Sequence, residues 1–228
     1  MATRASPSQA GGTIADATSP NTYVLPQNVS VGQLVVVGIS SDGAGTFVSG
    51  DCTKSAGTAT IDGFVLDKQQ NSPTDQHCAF WSTLVTGAGS LTIAVATGGS
   101  FSVTGVQVYN GNWDSSRLEA SNGANGTTST TPSSGNATSA GAAVFLGALA
   151  VGNSANVTLT EDSNWTSIFE SPNGTAHEVG EIIDRIVSSG TTDDANWTIS
   201  AAPTRTACCV VVYKEIFVAD VLQAQAIF

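Results

Sequence analysis

Near residue 180 the sequence gathers residues that could do chemistry: His177-Glu178-Val179-Gly180-Glu181, with Asp184 close behind. A zinc hydrolase of the H-E-x-x-H type needs two ligands on one helical face. Glu181 stands where the second histidine would be, and Gly180 and β-branched Ile182-Ile183 favour a strand over a helix. A glycosidase instead needs two carboxyl groups facing each other across a sugar. On a strand, Glu178 and Asp184 share one face and Glu181 takes the other. The three carboxylates therefore read as a solvated polar face, and no catalytic residue is assigned.

His77-Cys78 sets a thiol beside an imidazole, the pairing of a cysteine nucleophile with its base. Strand neighbours point to opposite faces, so these two do not meet. The four cysteines, Cys52, Cys78, Cys208 and Cys209, have no C-x-x-C spacing, and with two histidines in the chain they form no metal pattern. Cys208-Cys209 lies in an apolar run and reads as two small buried side chains aimed in opposite directions. A Cys52–Cys78 bridge is geometrically open but is not expected in a reducing cytosol. No G-x-S-x-G elbow, phosphate-binding loop or dinucleotide fingerprint occurs. No metal or other cofactor is expected.

Four tryptophans could form a sugar-stacking platform. Trp81 and Trp197 fall in strand-like runs and are expected in the core. Trp113 follows the turn Asn110-Gly111-Asn112, where an aromatic ring is expected at the surface, and it is the candidate glycan-binding residue.

Composition narrows the partners. The chain has 228 residues, 7 basic against 18 acidic, and only 11% charged, well under the usual ~25%. Nucleic acid and anionic membrane are disfavoured, because both need clustered Lys and Arg. The start of the chain lacks the apolar segment of a secretory signal, and no run is long enough to span a membrane as a helix.

The elements around these residues read as strands. Apolar or alternating runs at 34–40, 58–66, 78–85, 91–96 and 101–109, then 142–151, 156–161, 165–169, 178–187, 196–200 and 206–214, are separated by Gly, Asn and Ser turns. The run 34–40 is suited to burial on both faces. Residues 1–22 read as an extended arm that could order on a neighbour, and 121–140 as a polar bridge without regular structure. Residues 216–228 form an apolar tail. Its Ile216, Phe217, Val218, Val221, Leu222, Ile227 and Phe228 must be buried in their own domain or in a partner.

One pattern occurs twice. Leu84-Val85-Thr86-Gly87, Leu91-Thr92-Ile93 and Val106-Gln107-Val108-Tyr109 are followed by Ile186-Val187-Ser188-Ser189-Gly190, Trp197-Thr198-Ile199 and Val210-Val211-Val212-Tyr213 in the same order. Two similar halves, 23–120 and 141–215, are expected to pack on each other as one sandwich spanning 23–215. One half alone would leave a hydrophobic sheet face uncovered.

The order of a glycine-led strand (Gly32-Gln33-Leu34-Val35-Val36-Val37), an aromatic strand running through a glycine turn (Phe80-Trp81-Ser82-Thr83-Leu84-Val85-Thr86-Gly87 to Ile93) and a strand ending in Tyr109-Asn110-Gly111 resembles jelly-roll-like virion structural proteins of tailed bacteriophages. The second copy departs from it at Tyr213-Lys214-Glu215. The resemblance implies an all-β, jelly-roll-like antiparallel sandwich. It also implies a non-enzymatic virion protein made in the host cytoplasm. That protein would be a capsid decoration or cement protein, or alternatively a receptor- or glycan-binding module of a tail fibre or appendage. Expected partners are further copies of the chain, with a trimer favoured, and other virion proteins such as a major capsid protein.

Overall fold

The structure, a computed structural model, describes residues 1–5, 10–14, 20–43, 45–97, 101–152, 157–171 and 178–216. Among them every regular element is a strand, apart from one 3-10 turn at Ser49–Asp51. Short polar and β-branched side chains with few long charged ones favour the pleated backbone. The strands are β1 (Thr3–Arg4), β2 (Ala10–Ile14), β3 (Asn21–Val24), β4 (Leu34–Asp42), β5 (Cys52–Ala56), β6 (Thr60–Ile61), β7 (Val65–Asn71), β8 (Gln76–Gly87), β9 (Thr92–Val95) and β10 (Ser102–Asn110). They continue as β11 (Leu118–Gly126), β12 (Ala137–Ser139), β13 (Ala143–Gly152), β14 (Leu159–Glu161), β15 (Thr166–Glu170), β16 (Glu178–Val187), β17 (Thr191–Asp193), β18 (Trp197–Ile199) and β19 (Arg205–Lys214).

Two large antiparallel sheets carry the fold. In the first, β4 lies between β10 and β8; β1 and β2 pair with the outer edge of β10, and β6 and β7 pair with β8. The second has the order β11-β19-β13-β16-β15. A three-stranded sheet, β3-β9-β5, and the pairs β14-β18 and β12-β17 complete the structure. As expected from its apolar run, β4 is buried on both faces, and β13 and β19 are covered in the same way.

Alternation then divides the side chains among three cores. Val35, Val37, Ile39 and Trp81 point into a cluster that includes Ile93 and Val95 of the three-stranded sheet. Phe145, Leu149 and Ile183 point into a second cluster with Trp197 and Ile199. Leu34, Val36, Phe80 and Tyr109 of the first large sheet meet Val144, Leu146, Ile182, Val211 and Tyr213 of the second in a third. The expected single core therefore corresponds only to this third cluster. Each large sheet also buries its other face under smaller strands, which short runs such as Trp197-Thr198-Ile199 supply.

Two expectations about the connecting segments are corrected. Residues 121–126, the beginning of the supposed polar bridge, belong to edge strand β11 on β19, and Ala137–Ser139 pairs with Thr191–Asp193. An edge strand is held by its backbone ladder and shows half its side chains to water, so no apolar pattern marks it. The described part of the N-terminal arm likewise lies on its own molecule. Thr3 and Arg4 pair with Asn110 and Tyr109, and Ala10–Ile14 pairs with 102–106.

Candidate functional site

The carboxylates near residue 180 sit on strand β16, as the β-branched pair Ile182-Ile183 dictates, and His177 lies outside the described residues. Alternation sends Ile182 and Asp184 into the space between the large sheets and Val179, Glu181 and Ile183 the other way. The expectation of a solvated polar face is overturned: Asp184 and Glu181 are both buried. A carboxylate is tolerated there only with partners, and both are hydrogen-bonded. Asp184 Oδ2 accepts from the Tyr109 hydroxyl at 2.6 Å and from Arg4 Nε at 2.8 Å, and Arg4 Nη2 pairs with Oδ1. Glu181 Oε2 accepts from Trp197 Nε1 at 3.0 Å. Glu178, half-buried, binds Gln76 Nε2 at 2.7 Å and Arg205 Nη2 at 2.8 Å. Pointing to opposite faces of one strand, Glu181 and Asp184 cannot flank a sugar.

A second polar junction crosses the same space. The Tyr213 hydroxyl donates to Asp67 Oδ2 at 2.6 Å. Buried Arg117 donates to Ser82 Oγ and to the Ser82 carbonyl, each at 3.0 Å, and lies 3.6 Å from Asp62. Burial pushes the Asp67 carboxyl up, and hydrogen bonds from Ser82 and Tyr213 and the charge of Arg117 offset part of that. Burial holds both phenols well above their ordinary range, and the adjacent carboxylates Asp184 and Asp67 add to the effect, so Tyr109 and Tyr213 remain donors. These groups fasten strands to one another.

Glu181 makes the fold pH-sensitive. Burial, aided by the charges of Glu161 and Glu170, raises its carboxyl from 4.5 to about 7, against hydrogen bonds from Ser167 and Trp197. Between these values the folded chain holds a proton that the unfolded chain releases. The stability that Glu181 contributes is therefore fully present below about 4.5 and is lost as pH rises through about 7, by an amount on the order of 3 kcal/mol. Half-buried Glu178, raised to about 7 chiefly by burial, acts in the same direction. Urea midpoints at pH 5 and pH 8 check this: the wild type is expected to lose stability on going up in pH, and Glu181→Gln, which mimics the protonated acid, to lose clearly less. An equal loss in both proteins would refute the assignment.

The surface tryptophan is also corrected. Trp113 is 8% exposed and packs in the inter-sheet cluster, its ring against Gly111. Trp81, Trp165 and Trp197 are buried as well. No tryptophan face is open for stacking on a sugar, and the basis for Trp113 as a glycan-binding residue falls away. The turn residues Asn110, Gly111 and Asn112 are exposed, and the absent side chain at Gly111 leaves room for the Trp113 ring to fold inward.

The cysteines divide between the cores. Cys52 belongs to the first cluster, Cys208 to the second, and Cys78 and Cys209 to the third. Cys52 and Cys78 thus lie on different sides of a sheet, and the bridge between them that sequence left open does not form. His77 and Cys78 point apart as expected: the His77 ring contacts the Gly43 carbonyl and the edge of Phe47.

Among the tail residues proposed to bind a partner, only Ile216 is described. Its backbone N donates to the Asn112 carbonyl at 2.8 Å, and Asn112 Nδ2 donates to the Ile216 carbonyl at 3.0 Å. Phe217, Val218, Val221, Leu222, Ile227 and Phe228 lie outside the described residues. Beside Ile216, buried Glu215 accepts from the Ala2 backbone N at 2.6 Å, and its Oε2 lies 3.5 Å from the Met1 ammonium. The first residues and the last strand therefore converge on Asn110–Trp113.

No family model, curated protein or solved structure matches this chain.

Sequence reasoning missed Arg4, Asp67, Arg117 and Glu215. Their signal was scarcity. With so few charges, an isolated arginine is more apt to be a clamp than decoration. All four arginines are in ion pairs: Arg4 with Asp184, Arg117 with Asp62, Arg185 with Asp193, and Arg205 with Asp75 and Glu178. Which carboxylate each would find depends on sheet-to-sheet packing, and local spacing holds no record of that.

Proposed function

We propose that this chain is a structural virion protein, a capsid decoration or cement protein that binds neighbouring capsid subunits and assembles with copies of itself, three being favoured. The observation that carries the reading is the convergence of the arm and the start of the apolar tail at one pole, held by Glu215, Asn112 and Ala2. Further contacts with a partner can be built on a site where both ends of the described chain are held in fixed positions. Further support comes from the side chains that chemistry would need, which are consumed in holding the sheets. The low charge of the chain, with Val24, Val31, Val48 and Val65 more than half exposed, suits subunit contacts.

The fold under this reading is a duplicated, jelly-roll-like unit. Its support is the recurrence of one strand order, β2-β10-β4-β8-β7 and then β11-β19-β13-β16-β15. The Arg4–Asp184–Tyr109 junction has a counterpart of the same residue types in Arg117, Asp67 and Tyr213.

Light scattering after size exclusion tests the assembly. The full chain is expected to run as an oligomer, a trimer first, and a chain ending at Glu215 as a smaller species. A monomeric full chain unchanged by the truncation would sink the proposal.

A further inference from the structure

The third core contains an unused chemical pair. Cys78 on β8 and Cys209 on β19 come from the two large sheets, and their Sγ atoms lie 3.1 Å apart, both fully buried. The sheets approach unusually closely where they meet. Cα atoms of β8 and β19 come within 8 Å, whereas packed sheets usually stand ~10 Å apart. The cause is the size of the intervening residues. Gly38 and Gly105 are neighbours on β4 and β10 and receive Ile182 of the opposite sheet, and Ala148 and Ala207 line the other side. Because the gap is narrow, the short cysteine side chains reach each other.

We infer that Cys78 and Cys209 are a disulfide-forming site, closed during folding by exchange with a small-molecule disulfide, which covalently joins the two large sheets. A thiolate of the pair attacks the small disulfide and expels one thiol, leaving a mixed disulfide. The second cysteine, as thiolate, attacks the protein sulfur of that mixed disulfide and expels the other thiol. Two protein thiols and one small disulfide thus become one protein disulfide and two small thiols. The protons of the protein thiols leave with the deprotonations that precede each attack and are taken up by the departing thiolates. A disulfide needs its sulfurs at ~2.05 Å, so closure asks for a movement of about one ångström, within the reach of a χ1 adjustment.

Burial fixes when this can happen. It raises the Cys78 thiol well above its ordinary range and leaves no path for a reagent. Exchange belongs to the stage before the sheets dock, and the docked protein shields the bond from reductant. Cys52 and Cys208, in separate clusters, serve as internal controls; burial pushes the Cys208 thiol up to about 12. The bond would close a loop across a separation of 131 residues, a span at which a cross-link strongly restricts the unfolded chain.

The test is to refold the full chain from denaturant with oxidised and reduced glutathione, in parallel with a fully reduced control, then quench exchange with acid, alkylate in denaturant and digest. The expected product is lighter by two hydrogens before alkylation. It yields one linked peptide pair joining Cys78 to Cys209, with Cys52 and Cys208 alkylated. Its thermal midpoint is expected to rise by roughly 10 °C over the reduced control. The native reduced protein, treated with the same buffer without unfolding, is expected to keep four thiols. Four alkylated cysteines after oxidative refolding, a link through Cys52 or Cys208, or a lower thermal midpoint on oxidation would overturn the inference. Cys209→Ala, which leaves a small apolar side chain, is expected to abolish the mass loss; if it persists, a different pair is responsible.

Discussion

Asp184→Ala is expected to destabilise the protein by about 3 kcal/mol or more, lowering the thermal midpoint by roughly 6–12 °C. The carboxylate is fully buried and takes three hydrogen bonds, one from Tyr109 and two from Arg4. Its removal strands the Tyr109 hydroxyl, which is itself fully buried, and leaves a hole between the sheets. The Arg4 side chain is 39% exposed and can swing to water, so the loss falls toward the lower end of the range for a broken buried pair. Asp184→Asn keeps the volume and one acceptor and should cost less, and Tyr109→Phe, which removes a single donor, about 1 kcal/mol. A second readout separates this junction from simple packing. Arg4 is docked on the molecule in the wild type, so trypsin is expected to cut after Arg4 much faster in Asp184→Ala under native conditions. Stability within about 0.5 kcal/mol of wild type, as for an ordinary surface change, with unchanged cleavage, would show that the junction does not hold the arm.

Gly38→Val is expected to cost about 3 kcal/mol or more, the upper end for an overpacked core. A Cβ at this position would sit 2.7 Å from Phe80 Cε1 and 3.0 Å from Ile182 Cγ2. Neither neighbour has room to yield, since Phe80 and Ile182 are both buried, one on the adjacent strand and one on the opposing sheet. Away from such crowding, replacing glycine in a strand normally stabilises by a few tenths to 1 kcal/mol, so the sign of the effect reports the packing. Ile182→Ala is expected to cost about 2–5 kcal/mol through the cavity it leaves. Because the two side chains contend for one space, Gly38→Val with Ile182→Ala should fall short of the sum by about 1–2 kcal/mol. Equilibrium urea unfolding of the four proteins measures this; strict additivity would mean that Ile182 does not occupy the glycine slot.

The two substitutions bear on the function proposed. Asp184 and Gly38 belong to the space where the sheets meet, and the arm is tied there through Arg4. The proposed assembly needs the first residues held in a fixed position, and the Arg4–Asp184–Tyr109 junction ties them to the sheets.

Several elements were legible in the sequence for reasons that are local. Strand β4 announces itself as an apolar run closed by Ser-Asp-Gly, and β13 and β19 likewise, because a strand buried on both faces has no polar position to keep. The opposite orientations of His77 and Cys78, of Cys208 and Cys209, and of Glu181 and Asp184 follow from pleating alone. Edge strands were not legible. Residues 121–126 of β11 read as loop because their ladder uses backbone groups that every residue carries.

The candidate site divides along the same line. The sequence by itself determined an all-β chain, poor in charge and without a metal or nucleophile motif, because composition and period-two alternation act residue by residue. Tertiary structure alone decided that the carboxylates near residue 180 are clamps, that Trp113 turns inward and that Cys78 meets Cys209. Each of these depends on which faces of distant strands come together. That choice is set by the volumes of side chains such as Gly38, Gly105 and Ile182 at the contact, and spacing along the chain does not encode it.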